Sequence, residues 1–376
     1  MKVNLLPALL LFLLTIPAQA QIQSILIPAG TPEDQAIQTI TKEPDEAKRL
    51  TMWEEFVATY ATNPAAVAYG NSQIAQYYLS ATQPDKAMAY GDKAMSAVPN
   101  NLEIIMSQTV AAQQSKDGAK ILHYAGLGGK AIDGIKKTPP PQGVAAVDWA
   151  AARDAQRQQV QQQYEFFEGA AYNAVAMEQD PTTRVRFAGE YTESFPGGHY
   201  ADQVHQLAIT SLLQLKDFAG VSKYGEKALL ANPDNVATLS LLAFALAEDP
   251  SPKNPYLSKA MEHARKAIEL GNADAPDTDR AIKLSVGLAH EALGYAMMKQ
   301  EKTAAAIPEF KSANALLKDD PGSHERVLFR TGYAYAKLKR YPEAREALNQ
   351  AIAMKGPYEK MAKETLAIVN APGKAH

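Results

Sequence analysis

One phrase occurs twice in this chain, and its recurrence constrains the fold more than any other feature. Residues 89–101 read AYGDKAMSAVPNN and residues 223–235 read KYGEKALLANPDN, so that seven of thirteen positions are identical at an offset of 134. The likeness continues upstream, where DEAKRLTMWEEFVATY at 45–60 stands opposite DPTTRVRFAGEYTESF at 180–195. Similarity at a fixed spacing is typical of repeat architectures, in which one structural unit recurs along the chain.

The segments between the breaks have the composition of helices. Stretches of about 12 to 20 residues rich in Ala, Leu, Lys, Glu and Gln alternate with short breaks such as TNP, TQPD, NPD and DDPG. The sequence lacks the runs of alternating β-branched residues that are typical of strands. The pattern therefore predicts an all-α chain.

The predicted helices come in pairs that share one spacing rule. The first helix has a slim residue followed three positions later by a bulky one, as in Ala75/Tyr78, Ile209/Leu212, Ala243/Leu246, Gly294/Met297 and Gly332/Tyr335. The second helix has three characteristic positions, such as Ala87, Gly91 and Ala94. In four of these five pairs, the first of these positions lies twelve residues after the slim residue of the first helix. Two helices joined by a short turn pack closely only where the facing side chains are small. The rule predicts tightly packed helix pairs.

These pairs resemble the tetratricopeptide-repeat family. The strongest matches are LGYAMMKQEKTAAAIPEFKSANAL at 293–316 and TGYAYAKLKRYPEAREALNQAI at 331–352, with further copies at 67–100, 202–235 and 236–270. The family's usual Trp near the start of the first helix is missing, and Asn71, His205, Leu239, His290 and Leu328 stand there instead. The resemblance implies a tetratricopeptide-repeat superhelical solenoid of antiparallel helix pairs.

The predicted domain organisation has six parts. They are a signal peptide at 1–20, an N-terminal lead-in at 21–44, a first repeat block at 45–138, a proline-rich linker at 139–144, a second block at 145–356 and a C-terminal capping helix at 357–370. A short helix is expected to begin near Thr31 within the lead-in. Since no proline occurs between Val144 and Gln179, the second block is expected to open with one long helix whose segment QRQQVQQQ projects into solvent.

The first twenty residues predict export. They contain one Lys, an apolar stretch from Leu5 to Ile16 and the small-x-small sequence Ala18-Gln19-Ala20, which together indicate a signal peptide cleaved after Ala20. The apolar stretch is shorter than the ~20 residues that span a bilayer as a helix, so an uncleaved anchor is the less favoured alternative. We expect a periplasmic or secreted protein with no stable membrane insertion after cleavage.

Composition argues against several kinds of chemistry. The 38 basic and 41 acidic residues form no basic run, so nucleic-acid binding is not expected. The absence of cysteine excludes disulfides, a thiol nucleophile and Cys-ligated zinc. The seven histidines show no metal-ligand spacing, and the GLGGK sequence at 126–130 lacks the Ser or Thr that a phosphate loop carries after Lys130. We expect no catalytic residues, metal or cofactor, and we interpret GLGGK as glycines that allow close helix packing.

The remaining candidate site is the groove that first helices line in the resembled family. Carrying that groove over by helical register places in it Gln203, Gln206, Thr210, Glu291, Tyr295, Lys299, Arg326, Phe329, Arg330, Tyr333 and Lys337. Aromatic residues and Arg dominate binding hot spots, but Tyr295 and Phe329 could equally belong to the packing between repeats. A carboxylate clamp is not expected, because the family's Asn positions hold Gln76, Thr210, Phe244, Tyr295 and Tyr333.

The sequence thus predicts a non-enzymatic scaffold or adaptor of the cell envelope that binds a protein or peptide. Two alternatives stay open: a structural envelope component that assembles with itself, and a subunit of an envelope enzyme complex. Neither the identity of the partner nor the oligomeric state follows from the sequence.

Overall fold

The chain is all-α in the computed structural model, which describes residues 22–371 and contains no strand within that range. Its helices are α1 Pro32–Thr41, α2 Glu46–Thr59, α3 Pro64–Ser80, α4 Pro84–Ala97, α5 Leu102–Ser115, α6 Gly118–Lys137, α7 Ala146–Gln159, α8 Gln161–Met177, α9 Pro181–Ser194, α10 Ala201–Gln214, α11 Phe218–Ala231, α12 Val236–Ala247, α13 Leu257–Gly271, α14 Arg280–Lys299, α15 Thr303–Leu317, α16 Pro321–Lys337, α17 Tyr341–Met354 and α18 Glu359–Asn370. The predicted fold class is confirmed. The predicted signal peptide at 1–20 lies outside the described residues, and no helix inside them is long and apolar enough to cross a membrane.

Each predicted repeat forms a pair of neighbouring helices. The pairs α3/α4, α10/α11, α12/α13, α14/α15 and α16/α17 pack against each other along their lengths. Four of them share one turn, whose penultimate residue adopts a left-handed backbone conformation at Thr82, Lys216, Glu301 and Lys339 (φ 56°, 57°, 63° and 57°). The N–H that follows donates back to the preceding helix, as from Arg340 to the carbonyl of Tyr335 at 2.9 Å. This hydrogen bond satisfies a carbonyl that the helix end would otherwise leave unpaired.

The helix starts follow from local capping chemistry. Thr31 accepts a hydrogen bond from the Asp34 N–H at 3.3 Å, so α1 begins where the sequence predicts. Asn101 and Asn235, the last residues of the duplicated phrase, cap α5 and α12 through the N–H groups of Ile104 and Thr238 at 3.0 and 2.8 Å. An Asn side chain at this position satisfies one of the free N–H groups of the first turn.

The small residues of the duplicated phrase lie where two helices touch. A Cβ built on Gly91 would stand 2.0 Å from Oε1 of Gln108, and one built on Gly225 would stand 2.5 Å from Cδ1 of Leu242. In α16, a Cβ on Gly332 would stand 2.6 Å from Cγ of Leu348. Distances this short mean that only glycine permits these approaches. The contact at Gly332 is the predicted tight packing within a pair, whereas Gly91 and Gly225 mark close contacts with the helix that follows the pair.

The glycines of GLGGK have the same role. They lie inside α6, where a Cβ on Gly128 would come within 2.5 Å of the Phe167 ring and one on Gly129 within 2.5 Å of the Phe195 ring. This segment is helix throughout, so its amides are used in the helix and do not form a phosphate-binding loop. The sequence-based interpretation of these glycines is confirmed.

The prediction of one long helix after residue 144 is wrong. The chain forms α7 and α8, which are separated at Val160 (φ −106°, ψ 15°). Both helices contact α6: Trp149 Nε1 of α7 donates to the carbonyl of Thr138, the C-cap residue of α6, at 2.9 Å, whereas α8 packs along both α5 and α6. The segment QRQQVQQQ does not simply project into solvent, since Arg157 pairs with Asp133 at 2.7 Å.

The described residues form two compact units. The first comprises residues up to Met177 together with Gly189–Tyr200, and the second comprises Glu178–Ala188 together with the residues from Ala201 onward. The sequence suggests a division near residue 140. In the structure, α7 and α8 belong with the first unit, because α8 packs on α5 and α6. Each unit has its own buried clusters, among them Trp53, Phe56 and Ile74 in the first unit. Leu239, Leu242 and Leu246 belong to a buried cluster of the second unit.

Candidate functional site

The predicted groove residues of the second unit fall into three groups. Gln203 of α10 is exposed, whereas Gln206 and Thr210 of the same helix are half-buried. Tyr333 and Lys337 of α16 are exposed. The other six are brought together where α14 meets α16, and they are half-buried or buried: Glu291, Tyr295, Lys299, Arg326, Phe329 and Arg330.

A buried ion network joins the charged members of that last group. The Glu291 carboxylate is fully buried and accepts from Arg326 Nε and Nη2 at 2.6 and 2.8 Å and from Arg330 Nη1 at 2.7 Å. Arg330 also donates to Glu248. Burial alone would lower the pKa of Arg330, but the two carboxylates outweigh burial and raise it. Both guanidinium groups are therefore held as cations by partners inside the protein.

Aromatic rings enclose the same network. The Arg326 guanidinium lies 4.5 Å from the centre of the Phe244 ring, and that of Arg330 lies 3.9 Å from the centre of the Tyr295 ring. Phe329 stacks on Tyr358 of the last turn before α18, with ring centres 5.6 Å apart. Both guanidinium groups lie against aromatic rings and are paired with carboxylates, so they have few atoms free to contact a binding partner. These residues hold helices together, which is the packing alternative that the sequence left open.

Lys299 also serves the fold. Its Nζ donates to the carbonyls of Ala247 and Asp249 at 2.8 and 2.6 Å, which lie at the end of α12. Burial lowers the pKa of Lys299, while the nearby carboxylates of Glu248 and Asp249 act against that shift. A cation at a helix C-terminus satisfies carbonyls that have no partner in the helix. This leaves Gln203, Tyr333 and Lys337 as the exposed members of the predicted groove.

The first unit contains an opening on the face formed by its first helices. A cavity of about 500 Å³ lies between α3, α5, the start of α8 and the extended residues 22–25. This volume is in the range of ligand pockets in proteins. Its walls are Ile22, Gln23, Ser24, Ile25, Tyr69, Ser72, Gln73, Ala75, Gln76, Gly91, Asn101, Leu102, Glu103, Ile104, Ser107, Gln108, Val160 and Gln163.

Residues 22–25 form an extended segment that we call the N-terminal strap. The Gln23 N–H donates to the Asn100 carbonyl at 3.2 Å, and the Asn100 N–H donates to Gln23 Oε1 at 3.1 Å. Asn101 Nδ2 donates to the Gln23 carbonyl at 2.9 Å. Three hydrogen bonds thus fix Gln23 to the turn between α4 and α5, and the strap closes one side of the cavity.

The wall opposite Gly91 is held by a second set of hydrogen bonds. Gln108 Nε2 donates to the Met88 carbonyl at 2.8 Å and to Asp92 Oδ1 at 2.9 Å. The Tyr124 hydroxyl donates to the same carboxylate oxygen at 2.9 Å, and burial together with this carboxylate raises the pKa of Tyr124. A satisfied polar network of this kind fixes the orientation of Gln108 and so the shape of the wall.

Most side chains that line the cavity are polar, and nearly all of these are uncharged. Glu103 is its one charged lining residue, and no Lys, Arg or His is among its lining residues. The Gln163 Oε1 atom is buried in this unit without a hydrogen-bond donor. Amide and hydroxyl side chains of the lining, such as Gln73, Gln76 and Ser107, both donate and accept hydrogen bonds, which suits a polar ligand.

Sequence reasoning did not find this cavity. It singled out Gln76 on α3, which lines the cavity, but it treated residues 21–30 as a loose lead-in and placed Gln163 in solvent. The available signal was the run of amide and hydroxyl side chains on α3, such as Ser72, Gln73 and Gln76, which has no core to explain it. Among the described residues, no three His, Asp or Glu side chains come close enough to hold a metal ion.

Comparison with known proteins gives one family match. The tetratricopeptide-repeat family model matches residues 325–356, which contain most of α16 and all of α17. No curated protein matches the chain.

Several solved structures are similar to the chain at low sequence identity. The Cut9–Hcn1 hetero-tetramer of the APC/C superposes with a TM-score of 0.43 and 14% identity over 90% of this chain and 63% of that chain, so that this chain spans less than two thirds of that protein. The TPR domain of P58(IPK) gives 0.30 and 11% identity over 90% and 97% of the two chains. The TPR2AB domain of yeast Sti1, in its complex with pHSP90, gives 0.28 and 14% over 81% and 98%.

The family match covers one helix pair, and features of that pair recur elsewhere in the chain. The pairs α3/α4, α10/α11 and α14/α15 repeat the left-handed turn of α16/α17, and α14/α15 also has a close glycine approach within the pair, at Gly294 against Phe310, like that at Gly332. The tetratricopeptide-repeat match thus applies to residues 325–356, and the left-handed turn of that helix pair recurs in three further pairs.

Proposed function

We propose that this protein is an exported, non-enzymatic binding module that receives an extended segment of a protein partner in the cavity of its first unit. The single observation that carries the proposal is the cavity itself, a polar opening of about 500 Å³ on the first-helix face of α3, α5 and α8. A rigid concave surface lowers the ordering cost of binding an otherwise flexible segment. Export rests on the signal-peptide pattern of residues 1–20.

The chemistry of the walls supports a peptide ligand. Side-chain amides and hydroxyls such as Gln73, Ser107 and Gln163 pair with the N–H and C=O groups that an extended backbone presents. Tyr69 adds an aromatic surface at the edge of the cavity. The groove predicted in the second unit is a weaker candidate, because Glu291 and Arg330 are buried in mutual ion pairs.

Filling the cavity tests this proposal. Ser107 is a half-buried lining residue, so Ser107→Trp is expected to occupy the space without disturbing the buried side of α5. Ser96→Trp is the matched control, because Ser96 is exposed on α4 and is not a lining residue. Decapeptides selected by display on the wild-type protein should bind the Ser96→Trp variant as tightly as wild type, and binding to the Ser107→Trp variant should fall below detection.

Two negative results would contradict the proposal. Failure of the wild-type protein to select any peptide, or equal binding of the selected peptides by the Ser107→Trp variant with its helical circular dichroism intact, would mean that the cavity is not the binding surface.

A further inference from the structure

The N-terminal strap shows what the turn between α4 and α5 can bind. We call residues 98–101 the first docking turn. Gln23 of the strap uses its backbone N–H, its carbonyl and its side-chain oxygen to bond with Asn100 and Asn101 of this turn. The strap contributes its backbone to two of these three hydrogen bonds, as extended segments do when they dock on a folded protein.

The duplicated phrase places the same turn in the second unit. Residues 232–235, which connect α11 to α12, stand opposite the first docking turn, and we call them the second docking turn. Asn232 has φ −138° and ψ 83°, and Val98 has φ −137° and ψ 70°. Asn235 has φ −69° and ψ 102°, and Asn101 has φ −81° and ψ 110°. Because φ and ψ set the direction of the backbone groups, the two turns present them alike.

The hydrogen-bonding groups of the second docking turn have no partner. Asn235 Oδ1 accepts from the Thr238 N–H at 2.8 Å, as Asn101 Oδ1 accepts from the Ile104 N–H at 3.0 Å, so both side chains cap a helix and each keeps its amide nitrogen as a donor. In the first docking turn, that nitrogen binds the strap. Within residues 22–371, neither Asn235 Nδ2 nor the backbone N–H and carbonyl of Asp234 has a hydrogen-bond partner.

The exposure of the two turns differs in the same sense. Asn101 and Leu102, which line the cavity together with the strap, are each 6% exposed. At the equivalent positions of the second unit, Asn235 and Val236 are half-buried. The second docking turn thus leaves accessible the positions that lie under the strap in the first unit.

The surroundings of the second docking turn favour an uncharged segment with apolar residues. Val236 and Leu241 of α12, which correspond to two residues of the cavity wall, are both apolar and half-buried. The Asp234 carboxylate is already paired with Lys266 at 2.9 Å, so neither charge is left without a partner. Residues 22–25, with the sequence Ile-Gln-Ser-Ile, have the matching chemistry, since a Gln stands among apolar residues.

We propose that the second docking turn binds an extended segment of a partner protein, in which a Gln with apolar neighbours makes the three hydrogen bonds that Gln23 makes in the first. The N–H of this Gln donates to the Asp234 carbonyl, its Oε1 accepts from the Asp234 N–H, and its carbonyl accepts from Asn235 Nδ2. The segment comes from a different protein, because the chain's own strap is already bound to its first docking turn. This site lies in the second unit and is independent of the cavity.

A peptide with the strap's own sequence tests the proposal. QIQSILIPAG, the sequence of residues 21–30, carries a fluorescent label, and fluorescence anisotropy measures its binding to the full-length protein, in which the strap occupies the first docking turn. We expect saturable binding of one peptide per chain. The peptide QIASILIPAG, which lacks the Gln side chain, should bind about fivefold more weakly because one hydrogen bond is lost.

Two substitutions at Asn235 separate the donor from the helix cap. Asn235→Ser and Asn235→Asp both keep a side-chain oxygen that caps α12, and both remove the Nδ2 donor. Binding of QIQSILIPAG should fall about fivefold in the Ser variant and at least about tenfold in the Asp variant, where a carboxylate faces the carbonyl of the peptide. Asn101→Ser is the matched control, because it removes the same donor from the first unit and should not weaken binding.

The outcomes distinguish this site from the cavity. Ser107→Trp fills the cavity and should leave peptide binding unchanged. Loss of binding in that variant would overturn the inference and place the peptide in the cavity of the proposed function. Absence of binding by the wild type, or equal binding by the wild type and both Asn235 variants with their helical circular dichroism intact, would also overturn the inference without affecting the proposed function. Sedimentation equilibrium should show a monomer, and a dimer that Asn235→Ser dissociates would contradict a different protein as the partner.

Discussion

At the scale of single residues, the second unit contains several buried charged side chains, among them Glu291, Glu325 and Arg330. Glu291 is fully buried between Arg326 and Arg330, and Glu325 is buried with its Oε1 accepting from the N–H groups of Gly356 and Tyr358 at 3.1 Å each. Buried charges cost desolvation energy and are retained only where every partner is in place. Each of these carboxylates therefore fixes the position of a particular neighbouring segment.

Replacing Glu291 should show how strongly the network depends on that one carboxylate. Glu291→Gln leaves Arg326 without a counter-ion and leaves Arg330 with Glu248 alone. We expect a loss of about 3 kcal/mol in the free energy of unfolding, because an uncompensated buried cation remains. Urea denaturation measures it. Glu343→Gln removes the surface pair with Arg340 and serves as the control, with no measurable change expected. Equal stability of both variants would show that the buried pairs are energetically unimportant.

His205 should give the protein a defined loss of stability on mild acidification. Its ring is buried, its Nδ1 has no hydrogen-bond partner, and burial lowers its pKa below the ordinary 6.5. In this pH range the unfolded chain binds the proton more readily, so the stabilising contribution is complete above pH 6.5 and is lost as the pH falls through the folded-state pKa.

Unfolding at pH 7 and pH 5 measures that contribution. His205→Gln should show a smaller loss of stability between the two pH values than the wild type, whereas His123→Gln, at an exposed position of α6, should behave as the wild type does. Identical pH dependence in the His205→Gln variant and the wild type would assign the acid sensitivity to other groups.

The residues of the candidate sites were the hardest part to predict from the sequence. Helical register places Glu291, Arg326 and Arg330 on the faces where α14 and α16 approach each other, and this much was predictable. Whether such a face is open or covered depends on Glu248 and Phe244 of α12 and on Tyr358 before α18, which are distant in sequence. Burial by distant elements is a tertiary property that spacing does not encode.

At the scale of helices and turns, the sequence was far more informative. The small residues of the pairs identify points of close helix contact, since Gly332 lies against Leu348 of its own pair, and Gly91 and Gly225 lie against the helices that follow, α5 and α12. The break between α7 and α8 at Val160 was missed because neither proline nor glycine marks it. The N-terminal strap was missed because an extended segment that pairs with a turn has no periodicity of its own.

Two glycine substitutions should have opposite effects on stability. Gly332→Ala places a methyl group 2.6 Å from Leu348 Cγ, so overpacking of about 1–3 kcal/mol should exceed the ~1 kcal/mol gained in helix propensity. A Cβ on Gly169 in α8 meets no atom within 4 Å, so Gly169→Ala should stabilise by about 0.5–1 kcal/mol. Thermal unfolding of both variants measures these shifts. A stabilised Gly332→Ala variant would contradict the close helix approach.

At the scale of the whole molecule, the duplicated phrase and the two compact units describe the same organisation. The copy at 89–101 lies in the first unit and the copy at 223–235 lies in the second. The strap and the cavity belong to the first unit, and the Glu291 network belongs to the second. The two units that carry the duplicated phrase thus differ in their other features, a cavity in the first and a buried ion network in the second.

Separate buried clusters predict that damage to one unit stays local. In repeat arrays each element is stabilised by its neighbours, so local opening spreads mainly to adjacent helices. Glu291→Gln should speed amide hydrogen exchange in α14 and α16, and Phe56→Leu, in the buried cluster of Trp53 and Ile74, should speed exchange in α2 and α3. Hydrogen–deuterium exchange read by mass spectrometry follows both regions in one experiment. Faster exchange in α3 of the Glu291→Gln variant, or in α16 of the Phe56→Leu variant, would show that the units open as one body.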